Sequence, residues 1–357
     1  MPEVILVDGV FQALAGLELG LVRGRDVDLG AGSRVAADRG LTLGDGKRAE
    51  THQAHFVAAL QGRGDGIEHG VDSLTGLLDD VIGEPEFDAV VDFAAPFPIE
   101  VISAILGVPK ADRQQIRHWT DLMLLRRPND PKPTPEGLHA SLEHVLYFLE
   151  LIRDKRANPS DDMISQLIEV EVEMDDGSRQ RLTDEEIAGF STLLAAAGAE
   201  TVTKLVGSAV VLFHRNPGEW QKLLDDPGKS PAAVEETLRY WAPSQYQGRF
   251  SHQDSEWHGV TLPAGQPVFL ITGAANRDPR EYDRPDEFDI DRPIGLTLGL
   301  GHGIHSCLGA ALARLESRMA IEEWARRFPR YEVDDAGCAR VNMSNVAGYS
   351  EVPVRVG

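Results

Sequence analysis

The chain has 357 residues and a formal net charge of −22 at pH 7. That length suffices for a large core, in one big domain or two ordinary ones, and the spread of acids along it repels a phosphate backbone, so no nucleic-acid partner is expected. Two cysteines, Cys307 and Cys338, cannot make a disulfide framework, which fits a reducing compartment. The apolar opening "MPEVILVDGVFQALAGLELGLV" is interrupted by Asp8 and Glu18 and has no basic residue before Arg23. It lacks the positive start of a secretory signal and the about 20 uncharged residues of a membrane span, so the expectation is a cytoplasmic protein with no membrane segment.

Residues 1–73 hold 13 of the 35 glycines, in runs such as "GRGDGIEHG". Glycine at that density costs backbone entropy and offers few side chains to pack. From Leu74 the texture changes. "LTGLLDDVIG" and "FPIEVISAILGVP" carry apolar residues at helical spacing and end in glycine or Gly-x-Pro stops. "PTPEGLHASLEHVLYFLELIRDKRANP" predicts a long amphipathic helix, capped by Thr134 and ended before Pro159. The segment from Thr183 to Pro217 opens with an N-cap and three acids, then stays apolar on nearly all sides, as a buried central helix does. "SPAAVEETLRYWAP" predicts a further helix, and "EWHGVTLPAGQPVFLITGAANRD" short strands broken at a Pro-Ala-Gly turn. The expected class is mainly α with a small β region.

Three constellations depart from what a plain core requires. In "LGLGHGIHSCLGAALARLE", Cys307 lies in a glycine-rich loop running into a helix of strong helix formers. Glycines let backbone N–H groups approach a thiolate, and the following helix turns the positive end of its dipole toward the sulfur. By itself the pattern fits a metal-ligating thiolate or a buried cysteine beside a turn. The spacing Gly299, Gly301, Gly303 does not make a dinucleotide loop or a nucleophile elbow. In "EETLR", Glu236 and Arg239 share a helix face, the arrangement of a solvated surface pair far more often than of a buried one. In "AAAGAET", Glu200 and Thr201 interrupt the central helix beside Gly198. Either an unseen arginine pairs with Glu200, or the helix is distorted there to admit a ligand.

In order and spacing these motifs resemble the cytochrome P450 family. Its haem loop F-G-x-G-x-H-x-C-x-G is matched by Leu300, Gly301, Gly303, His305, Cys307 and Gly309. Its A-G-x-D/E-T is matched by Ala197, Gly198, Glu200 and Thr201, its E-x-x-R by Glu236 and Arg239, and the arginine completing that triad by Arg292. The resemblance runs from residue 74 to the end. It implies the cytochrome P450 fold over 74–357, enclosing haem (heme b, iron protoporphyrin IX) with Cys307 as the axial ligand of the iron. Leu300, Gly301 and Gly309 would line the proximal side, His305 and Arg249 bind the propionates, and Glu200 and Thr201 deliver protons for catalysis. Glu236, Arg239 and Arg292 would form a structural network.

The implied enzyme is a soluble bacterial-type monooxygenase that inserts one oxygen atom from O₂ into a moderately hydrophobic small molecule. Its electrons would come from NAD(P)H through a ferredoxin- or flavodoxin-like donor and its reductase, and a monomer is expected. A haem-binding but non-catalytic or folding-defective remnant is the alternative. A cysteine-nucleophile hydrolase is disfavoured, because His305 at i−2 is badly placed as its base. Two departures stand out. Leu300 replaces the usual phenylalanine, and residues 1–73 carry no family motif, including the His- or Trp-x-x-x-Arg clamp. That segment is expected to be an atypical, loosely packed start, arising from a shifted reading frame.

Overall fold

The computed structural model describes residues 74–173 and 178–357. The expectations for residues 1–73 lie outside this range. Helix α1 (74–81) leads into strand β1 (Glu86–Asp88) and a π-helical turn, Ala89–Ala94. Helices α2 (Pro96–Leu106) and α3 (Arg113–Leu124) follow, then the hairpin β2 (Arg126–Arg127) and β3 (Asp130–Pro133). Next come α4 (Pro135–Ala157), α5 (Met163–Glu169), β4 (Glu171–Glu173), β5 (Arg179–Arg181) and the 32-residue α6 (Asp184–Arg215). Helices α7 (Pro217–Asp225) and α8 (Ser230–Trp241) precede strands β6 (Gln247–Phe250), β7 (Ser255–Trp257), β8 (Val260–Leu262) and β9 (Pro267–Leu270). The chain closes with α9 (Ala310–Arg327), β10 (Tyr331–Val333), β11 (Ala339–Arg340), β12 (Tyr349–Glu351) and β13 (Pro353–Val356).

Helix boundaries fall where the local chemistry puts them. Thr183 accepts the Glu186 amide at 3.2 Å while the Glu186 carboxylate takes the Thr183 amide at 2.8 Å, a complete capping box. Thr134 caps α4 with Pro135 at its first position. Gly107 ends α2 at φ 84°, and a side chain there would strike the Asp162 carboxylate that caps α5. Every strand has two to four residues, and the one three-stranded sheet among the described residues runs β1–β13–β10, antiparallel throughout. The mainly α class with a small β region is what the structure has.

Helix α6 organises the core. Its first half, including Ile187, Ala188, Ala195 and Ala199, belongs to one apolar cluster with α2, α4 and α5. Its second half, Val202 to Phe213, belongs to a larger cluster with α8, α9 and the β1–β13–β10 sheet. Glu200 and Thr201 lie at the seam between the two. By length and composition α6 and the run 89–106 could each cross a bilayer, yet 78% and 67% of those windows are buried inside the protein.

Candidate active site

The cysteine loop is a tight turn built on glycine. Gly301 sits at φ 75°, and a Cβ there would come within 2.6 Å of the His305 carbonyl oxygen. That close approach folds the chain back so that the Cys307 amide donates to the Leu300 carbonyl at 2.8 Å. Gly309 is the N-cap residue of α9, and its N–H donates to the Cys307 sulfur. The sulfur therefore lies at the positive end of an 18-residue helix. Burial nevertheless pushes the thiol above its ordinary range, against the opposing pull of the Gly309 N–H and Arg314. Leu300 packs against the larger core cluster, and Leu308, beside the cysteine, is 39% exposed. The second cysteine, Cys338, follows β10 and packs against the same core.

The loop is held in place from α8. Glu236 and Arg239 form a fully buried bidentate pair, with Nε–Oε2 at 2.7 Å and Nη2–Oε1 at 2.8 Å. Arg292 joins at 3.4 Å, and the Asp289 amide donates to Glu236 Oε1 at 2.9 Å. The remaining guanidinium N–H groups go to the carbonyls of Asn276, Pro285 and Glu287 from Arg239, and of Asp283, Arg284 and Glu287 from Arg292. Of the two readings the sequence left open, the buried one holds. Asn276 Oδ1, fully buried, accepts the Leu298 amide at 2.8 Å, and Gly299 lies so close to the Leu238 carbonyl that a Cβ would approach within 2.7 Å. The triad thus fixes the entrance to the cysteine loop. Asn276 went unnoticed in the sequence, where its only signal is a polar residue inside an apolar "TGAAN" turn.

In the middle of α6, the counter-ion of Glu200 is a lysine rather than an arginine. Lys204, one turn on, places Nζ 2.7 Å from Oε1, and both side chains are 6% exposed. The i, i+4 Glu–Lys spacing was the sequence signal for this pair. Burial raises the Glu200 carboxyl above the usual glutamate range, against the pull of Lys204. The Thr201 hydroxyl donates to the Ala197 carbonyl at 3.0 Å. Of the two alternatives, an ion pair is present, and α6 runs as one helix from Asp184 to Arg215. Gly198 serves packing instead: a Cβ there would lie 2.9 Å from Ile102 Cγ1, so glycine lets α2 seat against α6.

Helix α6 packs directly on α8 and α9, so the helix carrying Glu200 and Thr201 neighbours the one that begins at the cysteine loop. His305 is exposed on a 3₁₀ turn, Gly303–His305, just before the cysteine. Arg249 is half-buried on β6, its Nη1 donating to the Gly248 carbonyl at 2.7 Å. The residues fit an iron porphyrin. A soft sulfur donor sits in a cradle that a Cβ at Gly301 would fill, with apolar surface at Leu308 beside it.

Comparisons with known proteins agree with this geometry. Residues 230–338 match the family described as Cytochrome P450. The biotin biosynthesis cytochrome P450 of Bacillus subtilis (strain 168) is 37% identical over 286 residues, 80% of this chain and 71% of that protein. The erythromycin C-12 hydroxylase of Saccharopolyspora erythraea is 39% identical over 279 residues, 76% of this chain and 68% of that one. Among solved structures, P450BioI in complex with hexadec-9Z-enoic acid ligated acyl carrier protein superposes with a TM-score of 0.75 and 31% identity, covering 98% of this chain and 85% of that one.

Proposed function

The chain belongs to the cytochrome P450 family of monooxygenases, and from that premise we propose that Cys307 would hold the iron of a haem and that the substrate is a moderately hydrophobic small molecule. The observation that carries this reading is the Cys307 sulfur receiving the Gly309 N–H at the head of α9, inside the turn that Gly301 makes possible. When bound, haem supplies the activation of O₂ from which one oxygen atom enters the substrate.

The chain's own residues position and protonate. Leu300, Gly301 and Gly309 would shape the loop that holds the haem beside Cys307. His305 and Arg249 would hold the two propionates through hydrogen bonds. Burial lets Glu200 carry a proton at a pH where an exposed glutamate has lost it. Thr201 is the proposed next carrier, its hydroxyl leaving the Ala197 carbonyl by a rotation about χ1. Lys204 holds the Glu200 carboxylate in place between transfers. Electrons are proposed to come from NAD(P)H by way of a ferredoxin- or flavodoxin-like protein and its reductase, in the cytoplasm.

The test is the difference spectrum of the reduced, carbon monoxide-bound protein. The red-shifted Soret band of thiolate-ligated haem should be present in the wild type and in Cys338→Ala, and absent in Cys307→Ala. Loss of the band in Cys338→Ala with retention in Cys307→Ala would reverse the assignment. Thr201→Ala should keep haem and lower the substrate oxidised per NAD(P)H consumed, and an unchanged ratio would remove Thr201 from the proton path.

A further inference from the structure

Four arginines are buried among the described residues: Arg113, Arg126, Arg239 and Arg292. Three of them have a carboxylate. Arg113 pairs with Glu100 at 3.0 Å, and Arg239 and Arg292 share Glu236. Arg126, 7% exposed, has none. Its Nη1 donates to the Met123 and Leu125 carbonyls, both at 2.9 Å, while Nε is buried and donates to nothing. Burial pulls the guanidinium below its ordinary range, with no carboxylate to offset it. A buried guanidinium without a carboxylate is costly, and among the described residues this one lacks its counter-charge.

Its position says what completes it. The Arg126 peptide is clasped from both sides by Asn342: the Arg126 amide donates to the Asn342 carbonyl at 2.9 Å, and Asn342 Nδ2 donates to the Arg126 carbonyl at 2.7 Å. The segment 341–348 that carries Asn342 is bonded in turn to the chain just before β6, through Gln245 N to Asn345 O at 2.9 Å and Ala347 N to Pro243 O at 2.8 Å. At its far end Gly348 lies against the Lys204 stem, where a Cβ would come within 2.6 Å, and Lys204 holds Glu200. One chain of contacts therefore joins Arg126 to the acid of the proposed proton path. Leu125 beside it is 45% exposed, next to the exposed Arg127, Asn129 and Asp130 of the hairpin.

We propose that Arg126 is a substrate-anchoring residue that receives a carboxylate on its Nε edge, which no described residue engages, so that the substrates are amphiphilic organic acids with an apolar body and one carboxylate. This rests on the monooxygenase reading of the site. A guanidinium edge matches a carboxylate in plane and spacing, and a hydrogen bond between charged groups in a buried site raises affinity about ten- to a hundredfold.

The experiment is isothermal titration calorimetry of the haem-loaded protein with three matched pairs: octanoate and octan-1-ol, dodecanoate and dodecan-1-ol, 4-phenylbutanoate and 4-phenylbutan-1-ol. The wild type should prefer the acid in at least one pair by about tenfold or more. Arg126→Met should abolish that preference, and Arg126→Lys should keep part of it. No preference in any wild-type pair overturns the inference, whether or not the variants fold. A preference that survives in Arg126→Met overturns it as well. Haem content and the carbon monoxide spectrum of the same preparations separate the two readings. A haem-thiolate protein without acid preference sinks only the anion site, and acid preference without the thiolate band sinks only the haem assignment.

Discussion

Glu236 and Glu200 are both buried glutamates with a cation on the same helix, and their surroundings differ in every other respect. Glu236 receives Arg239, Arg292 and the Asp289 amide, and its two arginines are in turn spent on carbonyls from 276 to 287. Among the described residues Glu200 has one ion-pair partner, Lys204, with the charges of Arg117 and Asp121 acting on it from farther off, at the seam between the two apolar clusters. A charge whose every lone pair is engaged is locked, and it specifies where the 276–299 segment lies. A charge whose one ion-pair partner is a flexible lysine keeps a route to release its proton. The first arrangement positions the cysteine loop and the second can take part in chemistry.

The comparison breaks most visibly at Arg239. Removing it takes the bidentate partner from the buried Glu236 and the guanidinium donors from the Asn276 and Pro285 carbonyls, a loss of about 3–5 kcal/mol. Arg239→Ala should fail to accumulate as soluble protein or should purify without haem, read from the ratio of Soret to protein absorbance. A soluble, haem-loaded variant would show that the network is dispensable. Glu200→Gln is expected to act on rate instead. Glutamine keeps an acceptor oxygen for Lys204, so the thermal midpoint should move little, while kcat falls by about a hundredfold if the carboxyl relays protons. Equal kcat in the two proteins would place Glu200 with the structural residues.

How much of this was legible depended on how local each signal is. The cysteine loop, Glu236 with Arg239 and the caps at Thr134 and Thr183 are all set by residues within a few positions of one another, and each lies where the sequence puts it. The Lys204 partner of Glu200 was within reach at i, i+4. The meaning of Gly198 was not, because it depends on Ile102, ninety-six positions away, pressing on it from α2. The Arg126–Asn342 clasp joins positions 216 apart and leaves no pattern in either segment. Gly198→Ala sharpens the point. The added methyl overlaps Ile102 Cγ1, an overpacking cost of about 1–3 kcal/mol, offset by about 1 kcal/mol of helix propensity. The variant should lose on the order of 1 kcal/mol in urea unfolding, and should become more stable than its parent when Ile102→Ala makes room.

A third buried glutamate extends the comparison to its limit. Glu316 on α9 is 3% exposed, and neither carboxyl oxygen has a hydrogen-bond partner among the described residues. Burial alone pushes its carboxyl well above the usual glutamate range. In the unfolded chain the group titrates near about 4.3, so the native state binds its proton more tightly than the unfolded state does. Its contribution to stability is then fully present below the unfolded value and is lost as pH rises through the native one. Neutral glutamine cannot lose a proton, so Glu316→Gln should flatten the decline of the urea midpoint between pH 5 and pH 9 relative to the wild type, and the two curves should converge toward pH 4. Parallel curves across that range would mean that Glu316 is ionised in the native protein and has found a counter-charge, which would move it from the unpartnered extreme of the comparison toward the position of Glu200.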